Sequence, residues 1–185
     1  MQFLTTTLAM LFLLAVPALA QDPLISPYRD QAGMGLRGLN EKEIAELKAG
    51  SGMALARAAE LNSYPGPRHV LDAIAAGKLA ASDEQRAHVE HVFAGMNRDA
   101  VRVGSRILHE EQSLETGFRT ATMTEADLHA RVARIAALQG ELREIHLAAH
   151  ITTRAILSAD QIARYNEVRG YTASATKDHD HQHKH

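Results

Sequence analysis

Cysteine and tryptophan are absent from this 185-residue chain, and phenylalanine and tyrosine number only four each. Without cysteine there is no disulfide framework, no thiol nucleophile and no thiolate metal site, so any metal must be held by His, Asp, Glu or Met. Little aromatic bulk argues against a thick globular core, whereas plentiful Ala, Leu, Glu and Arg favour helices packed through thin seams. A formal net charge of −2 gives neither sign a surplus, so neither nucleic acid nor an anionic membrane is expected as a partner. Also missing are a Gly-x-Ser-x-Gly elbow, a phosphate-binding loop and a dinucleotide fingerprint. Helices without a deep pocket are poor scaffolding for an enclosed active site, and the chain reads as a non-enzyme.

The two ends carry opposite signals. Leu8 to Val16 is an apolar run of the length found in secretion signals, and Ala18-Leu19-Ala20 fits a small-x-small cleavage site before Gln21. The run is short for a membrane span, and no cysteine follows it to take a lipid anchor. Residues 1–20 are therefore expected to be a signal peptide, with no membrane insertion after cleavage. At the other end His179, His181, His183 and His185 alternate one-in-two. Neutral imidazole is the usual nitrogen ligand for Zn, Cu and Ni, and alternation on a free tail lets several rings share one ion. The plainer alternative is a solvated, disordered tail over 172–185.

Between these ends, about 165 residues fit one domain. Residues 21–38, with Pro23, Pro27 and three glycines, read as an irregular lead-in, and the helical region is expected over 39–171. Asn40 with Glu43 makes a capping pair for a helix predicted to reach about Asn62, weakened or bent at Gly50-Ser51-Gly52. Tyr64-Pro65-Gly66-Pro67 forces a turn before a short helix near Arg68 to Ala76. Ser82 with Gln85 opens a long helix to about Phe118, whose apolar stripe runs Val89, Phe93, Met96, Ala100, Val103, Ile107, Leu114, Phe118. Thr124 with Asp127 opens the next. There Leu128, Ile135, Leu142, Ala149 and Ile156 recur every seventh residue, with Val132, Leu138 and Ile145 between them, as in a coiled-coil seam. Ser158 with Gln161 caps a last short helix. The expected fold is all-α: an elongated antiparallel hairpin of two helices, each roughly 50 Å long, with short flanking helices. A hairpin this thin buries little area per residue, so a homodimer is the natural completion of its core.

The segments Ala81-Ser82-Asp83-Glu84-Gln85 and Leu157-Ser158-Ala159-Asp160-Gln161 each satisfy a helix start by capping alone. As a pair they resemble the two Leu-Thr-x-x-Gln motifs of the Spy/CpxP family of periplasmic chaperones, grouped with zinc-resistance-associated and heavy-metal-resistance proteins. Ser stands for Thr in both, and Ala81 for the first Leu. Leu61 to Val70 and Ala163 to Tyr171 also resemble segments of that group, and the likeness covers roughly residues 38–171. It implies a thin, curved periplasmic dimer. Such a protein holds unfolded client proteins without ATP, or binds divalent transition metals through His and acidic side chains. No metal site transfers by position.

From the residues themselves, His146 and His150 form an i, i+4 pair, the spacing at which two imidazoles grip one ion. Relative to the seam His146 flanks the buried edge and His150 points further outward, so the plainer alternative is a packed His146 and a solvated His150. Glu84, His88 and His91 share one stripe of the first long helix, nearly opposite Val89, Phe93 and Met96, where a solvated face is the competing explanation. His69, His109 and His129 are isolated in sequence and read as surface or packing residues. Met34, Met53, Met96 and Met123 are dispersed, which argues against a methionine-rich Cu(I) motif. The expected function is a periplasmic, metal-linked stress protein binding Zn, Cu or Ni, with ATP-independent chaperone action implied by the resemblance. The rivals are a metal-sensor accessory read by a membrane-bound signalling protein, and a plain chaperone whose His tail is incidental.

Overall fold

The computed structural model describes residues 24–33 and 35–171. The proposed signal peptide and the histidine tail therefore lie outside the described residues. Contacts divide the chain into two units between Gly35 and Leu36. Among the described residues of the first, one 3-10 turn, Arg29–Gln31, buries no side chain. The second holds α1 (Glu41–Ala49), α2 (Arg57–Glu60), α3 (Pro67–Ala75), α4 (Asp83–Arg119), α5 (Glu125–Ile156) and α6 (Ala159–Val168). Among the described residues there is no strand, so the all-α expectation holds.

Local chemistry sets most helix starts. Asn40, Ser82 and Ser158 each complete a reciprocal capping box with Glu43, Gln85 and Gln161, and Thr124 accepts from the Asp127 N–H. The first helix is shorter than its pattern suggests. It stops at Gly50, which takes a left-handed φ of +64° and directs its N–H back to the carbonyls of Glu46 and Leu47. A side chain at that position would press on Asn97 of α4, which also donates from Nδ2 to the Ala49 carbonyl at 2.8 Å. Met53 and Ala54 then hold positive φ angles of 45° and 59° before the four-residue α2 begins. Gly50-Ser51-Gly52 thus ends the helix rather than bending it.

Two apolar clusters carry the packing. One joins Leu47 of α1 to Ala100, Val103 and Ile107 of α4 and to Leu138 and Leu142 of α5. Gly104 lets α1 approach here: a Cβ would stand well inside van der Waals contact distance of the Leu47 carbonyl oxygen. The other gathers Val70 and Ala73 of α3 with Leu79, Val89, Leu157 and Tyr165. The seven-residue repeat of α5 is buried at Ile135, Leu142 and Ala149. It fails at its start, because Leu128 is 36% and Val132 50% exposed, and Phe118 at the end of α4 is 58% exposed. Neither apolar cluster extends to these first turns of α5. Charge pairs lace the two long helices together. Glu110 of α4 accepts from Arg131 and Arg134 at 3.4 and 3.2 Å, and Glu141 of α5 accepts from Arg102 and Arg106 at 3.2 Å each.

The paired Ser-x-x-Gln segments do more than cap. Each Gln Oε1 accepts from the N–H of its own cap serine, at 3.1 Å for Gln85 and 2.8 Å for Gln161. The two amides then face one another: Gln85 Nε2 donates to Gln161 Oε1 at 2.9 Å, and Gln161 Nε2 donates to Gln85 Oε1 at 3.0 Å. The remaining N–H of each crosses to the other segment, Gln85 to the Ile156 carbonyl at 3.0 Å and Gln161 to the Ala80 carbonyl at 2.8 Å. Both amides are saturated by this exchange, which locks the start of α4 to the start of α6. No described helix is long and apolar enough to cross a membrane.

Candidate metal centre

The turn Tyr64-Pro65-Gly66-Pro67 packs directly on α5. Pro67 occupies the first position of α3, where its missing N–H costs nothing, and Pro65, Gly66 and Pro67 are buried. Gly66 is required by proximity: a Cβ there would sit 2.9 Å from His150 Cε1 and 3.1 Å from its Nε2. The His150 ring is therefore not solvated, as its position on the helix had suggested. Its Nδ1 lies 2.7 Å from the Tyr64 carbonyl oxygen. A carbonyl only accepts, so Nδ1 carries a proton, and the matching neutral tautomer has its lone pair on Nε2. Nearby, Arg154 stacks its guanidinium 4.8 Å from the Tyr64 ring centroid and hydrogen-bonds the Ser63 carbonyl, holding the turn from the other side.

Glu60, the last residue of α2, is the hub of the surrounding polar network. Its Oε1 accepts from the Tyr165 hydroxyl at 2.5 Å and the Tyr171 hydroxyl at 3.0 Å, and pairs with Arg169 Nε at 3.2 Å. Its Oε2 accepts from the Gly66 N–H at 3.2 Å and faces His150 Nδ1 at 3.6 Å. His69 Nδ1 stands 3.4 Å from Oε1, within electrostatic reach but without a directed hydrogen bond. Burial pushes the carboxyl up, yet the His69 ring and then the two tyrosine hydroxyls outweigh it and hold the pKa down at about 2. Burial, then the charged Glu60, push the Tyr165 hydroxyl well above its ordinary value, so it remains a donor.

His146 lies one turn before His150 on the buried stripe between Leu142 and Ala149, and is 3% exposed. Its Nε2 is buried and has no hydrogen-bond partner. Burial, reinforced by the nearby His150, lowers its pKa, which keeps the ring neutral and the nitrogen able to donate a lone pair. With no protein partner, this buried nitrogen is free to accept a hydrogen bond or to bind a metal. His146 and His150 border a cavity of about 370 Å³ together with His69, Met96 and Asn97. A second cavity, of about 570 Å³, also borders His69 and His150, together with Glu60. As the side chains stand, no three His, Asp or Glu groups among the described residues are arranged to hold one ion.

The structure thus brings the expected pair His146 and His150 to one cavity, and adds His69 and Glu60, which sequence reasoning did not select. Their only local sign is the Pro-Gly-Pro turn. Glu60 meets Tyr165 and Tyr171 across more than a hundred residues, a separation no spacing rule spans. Glu84, His88, His91 and His109 are all exposed on α4, and His129 is exposed on α5. His179, His181, His183 and His185 fall outside the described residues. No protein-family model, curated protein or solved structure matches the chain.

Proposed function

We propose that this is an exported helical protein of the periplasm that binds a transition metal, Zn, Cu or Ni, through His146 and His150, with the histidine tail as a second, looser site. The observation that carries the reading is the buried, unpartnered Nε2 of His146, a neutral nitrogen beside His150 at one cavity. A site on a rigid helix is preorganised, so an occupied site raises thermal stability, whereas a site whose ligands must be ordered around each ion discriminates little between metals. Calorimetric titration and thermal melts, with and without residues 177–185, test this. Deleting the tail is expected to lower the stoichiometry and leave the metal-induced rise in melting temperature intact. The double change His146→Ala and His150→Ala is expected to abolish that rise. Loss of all binding on tail deletion would transfer the metal role to the tail alone.

A second reading, an ATP-independent chaperone of the Spy/CpxP type, is favoured by the exposed Phe118, Leu128 and Val132. The ion pairs between α4 and α5 support the antiparallel hairpin, and a homodimer is the assembly proposed for it. Equimolar protein is expected to slow aggregation of an unrelated unfolding client without ATP. Equal activity from a Phe118→Ser, Val132→Ser variant would remove these side chains from that role.

A further inference from the structure

Resting on the metal reading above, we infer that the interior site has His69 as its third imidazole and Met96 as a thioether ligand, and that its cognate ion is Cu(I). The argument begins with which nitrogens are free. His150 commits Nδ1 to the Tyr64 carbonyl, so its Nε2 is the nitrogen left to bind. His69 turns Nδ1 toward Glu60 Oε1 at 3.4 Å, which favours a proton on that nitrogen and leaves Nε2 available. His146 has its Nε2 buried and unpartnered. For His150 this is the outer-sphere pattern of metal-bound histidines, in which a carbonyl takes one ring N–H and fixes the tautomer of the other nitrogen.

Glu60 itself is an unsuitable ligand. Its oxygens already serve Tyr165, Tyr171, Arg169 and the Gly66 N–H. No carboxylate borders the cavity, so beside the Ser51 and Asn97 oxygens its side-chain donors are three imidazoles and the Met96 sulfur. An imidazole and thioether set suits a soft monovalent ion better than Zn, which gains more from charged ligands. The methionines are dispersed in sequence, so this is a mixed site rather than a methionine-rich motif. The rings do not converge as they stand, and the cavity of about 370 Å³ leaves room for side-chain rotation around an ion.

The test uses protein lacking residues 177–185, titrated anaerobically with Cu(I) against a colorimetric Cu(I) chelator, and separately with Zn. His69 is partly exposed and Met96→Leu is nearly isosteric, so neither His69→Ala nor Met96→Leu threatens folding. The expected result is one Cu(I) per chain, with affinity lowered about tenfold or more by either substitution. Zn affinity should fall with His69→Ala but stay unchanged with Met96→Leu. Binding that needs His146 and His150 yet ignores both substitutions would overturn this inference and leave the two-histidine reading standing. Tighter binding of Zn than of Cu(I) would overturn the choice of ion. No binding of either metal would remove both.

Discussion

Replacing Glu60 by Gln tests the polar hub at its centre. The substitution keeps the shape of the side chain and removes only its charge, placing an amide NH₂ where one carboxylate oxygen now accepts. Two tyrosine hydroxyls, Arg169 and the Gly66 N–H point at this group, so the amide brings a donor against donors as well as losing the charge. The magnitude follows from linkage. The carboxyl pKa falls from 4.5 to about 2 on folding. At 1.36 kcal/mol per unit, that difference stabilises the native state by about 3 kcal/mol at neutral pH. Because the folded value is the depressed one, the contribution is complete above pH 4.5 and disappears as pH falls toward about 2. Urea unfolding of wild type and Glu60→Gln, followed by circular dichroism at pH 7, 5, 4 and 3, reads this directly. The wild type should lead by about 3 kcal/mol at pH 7 and 5, with the gap narrowing at pH 4 and further at pH 3. A gap of about 1 kcal/mol at neutral pH, or one independent of pH, would refute the reasoning, since an ordinary neutral hydrogen bond is worth that much.

The interlocked amides predict a coupling. Gln85→Ala and Gln161→Ala should each cost about 1–3 kcal/mol, and the double variant should cost less than their sum, because each single change already strands the other amide. A strictly additive cycle by chemical denaturation would show that the two segments are capped independently. Gly104→Ala should destabilise by about 1–3 kcal/mol, because the new methyl meets the Leu47 backbone rather than a side chain that can rotate away. Leu142→Asp should cost several kcal/mol by placing an unpaired charge in the first apolar cluster, and an unchanged melting temperature would contradict the packing described for α5.

The capping boxes at Asn40, Ser82 and Ser158 and the apolar repeat of α5 from Ile135 onward are written in residues three, four or seven apart, and the helices start where those residues place them. The same rules reached their limit at Leu128 and Val132, whose periodicity continues although neither apolar cluster extends to them. His146 and His150 were legible as a pair because helix spacing alone brings them to one face. The inward turn of the His150 ring was not legible, because it follows from the Tyr64 carbonyl, eighty-six residues earlier in the chain. Local sequence by itself therefore determined the helical class, the helix starts and the one-turn spacing of the two histidines, since hydrogen bonds and sterics within a few residues suffice for each. Only the tertiary structure decided that His69 joins them, that Glu60 keeps its charge under two tyrosines, and that Gln85 grips Gln161. Those meetings depend on how α2, α3 and α6 dock beside the long helices, and docking depends on packing between segments whose order along the chain carries no record of their distance in space.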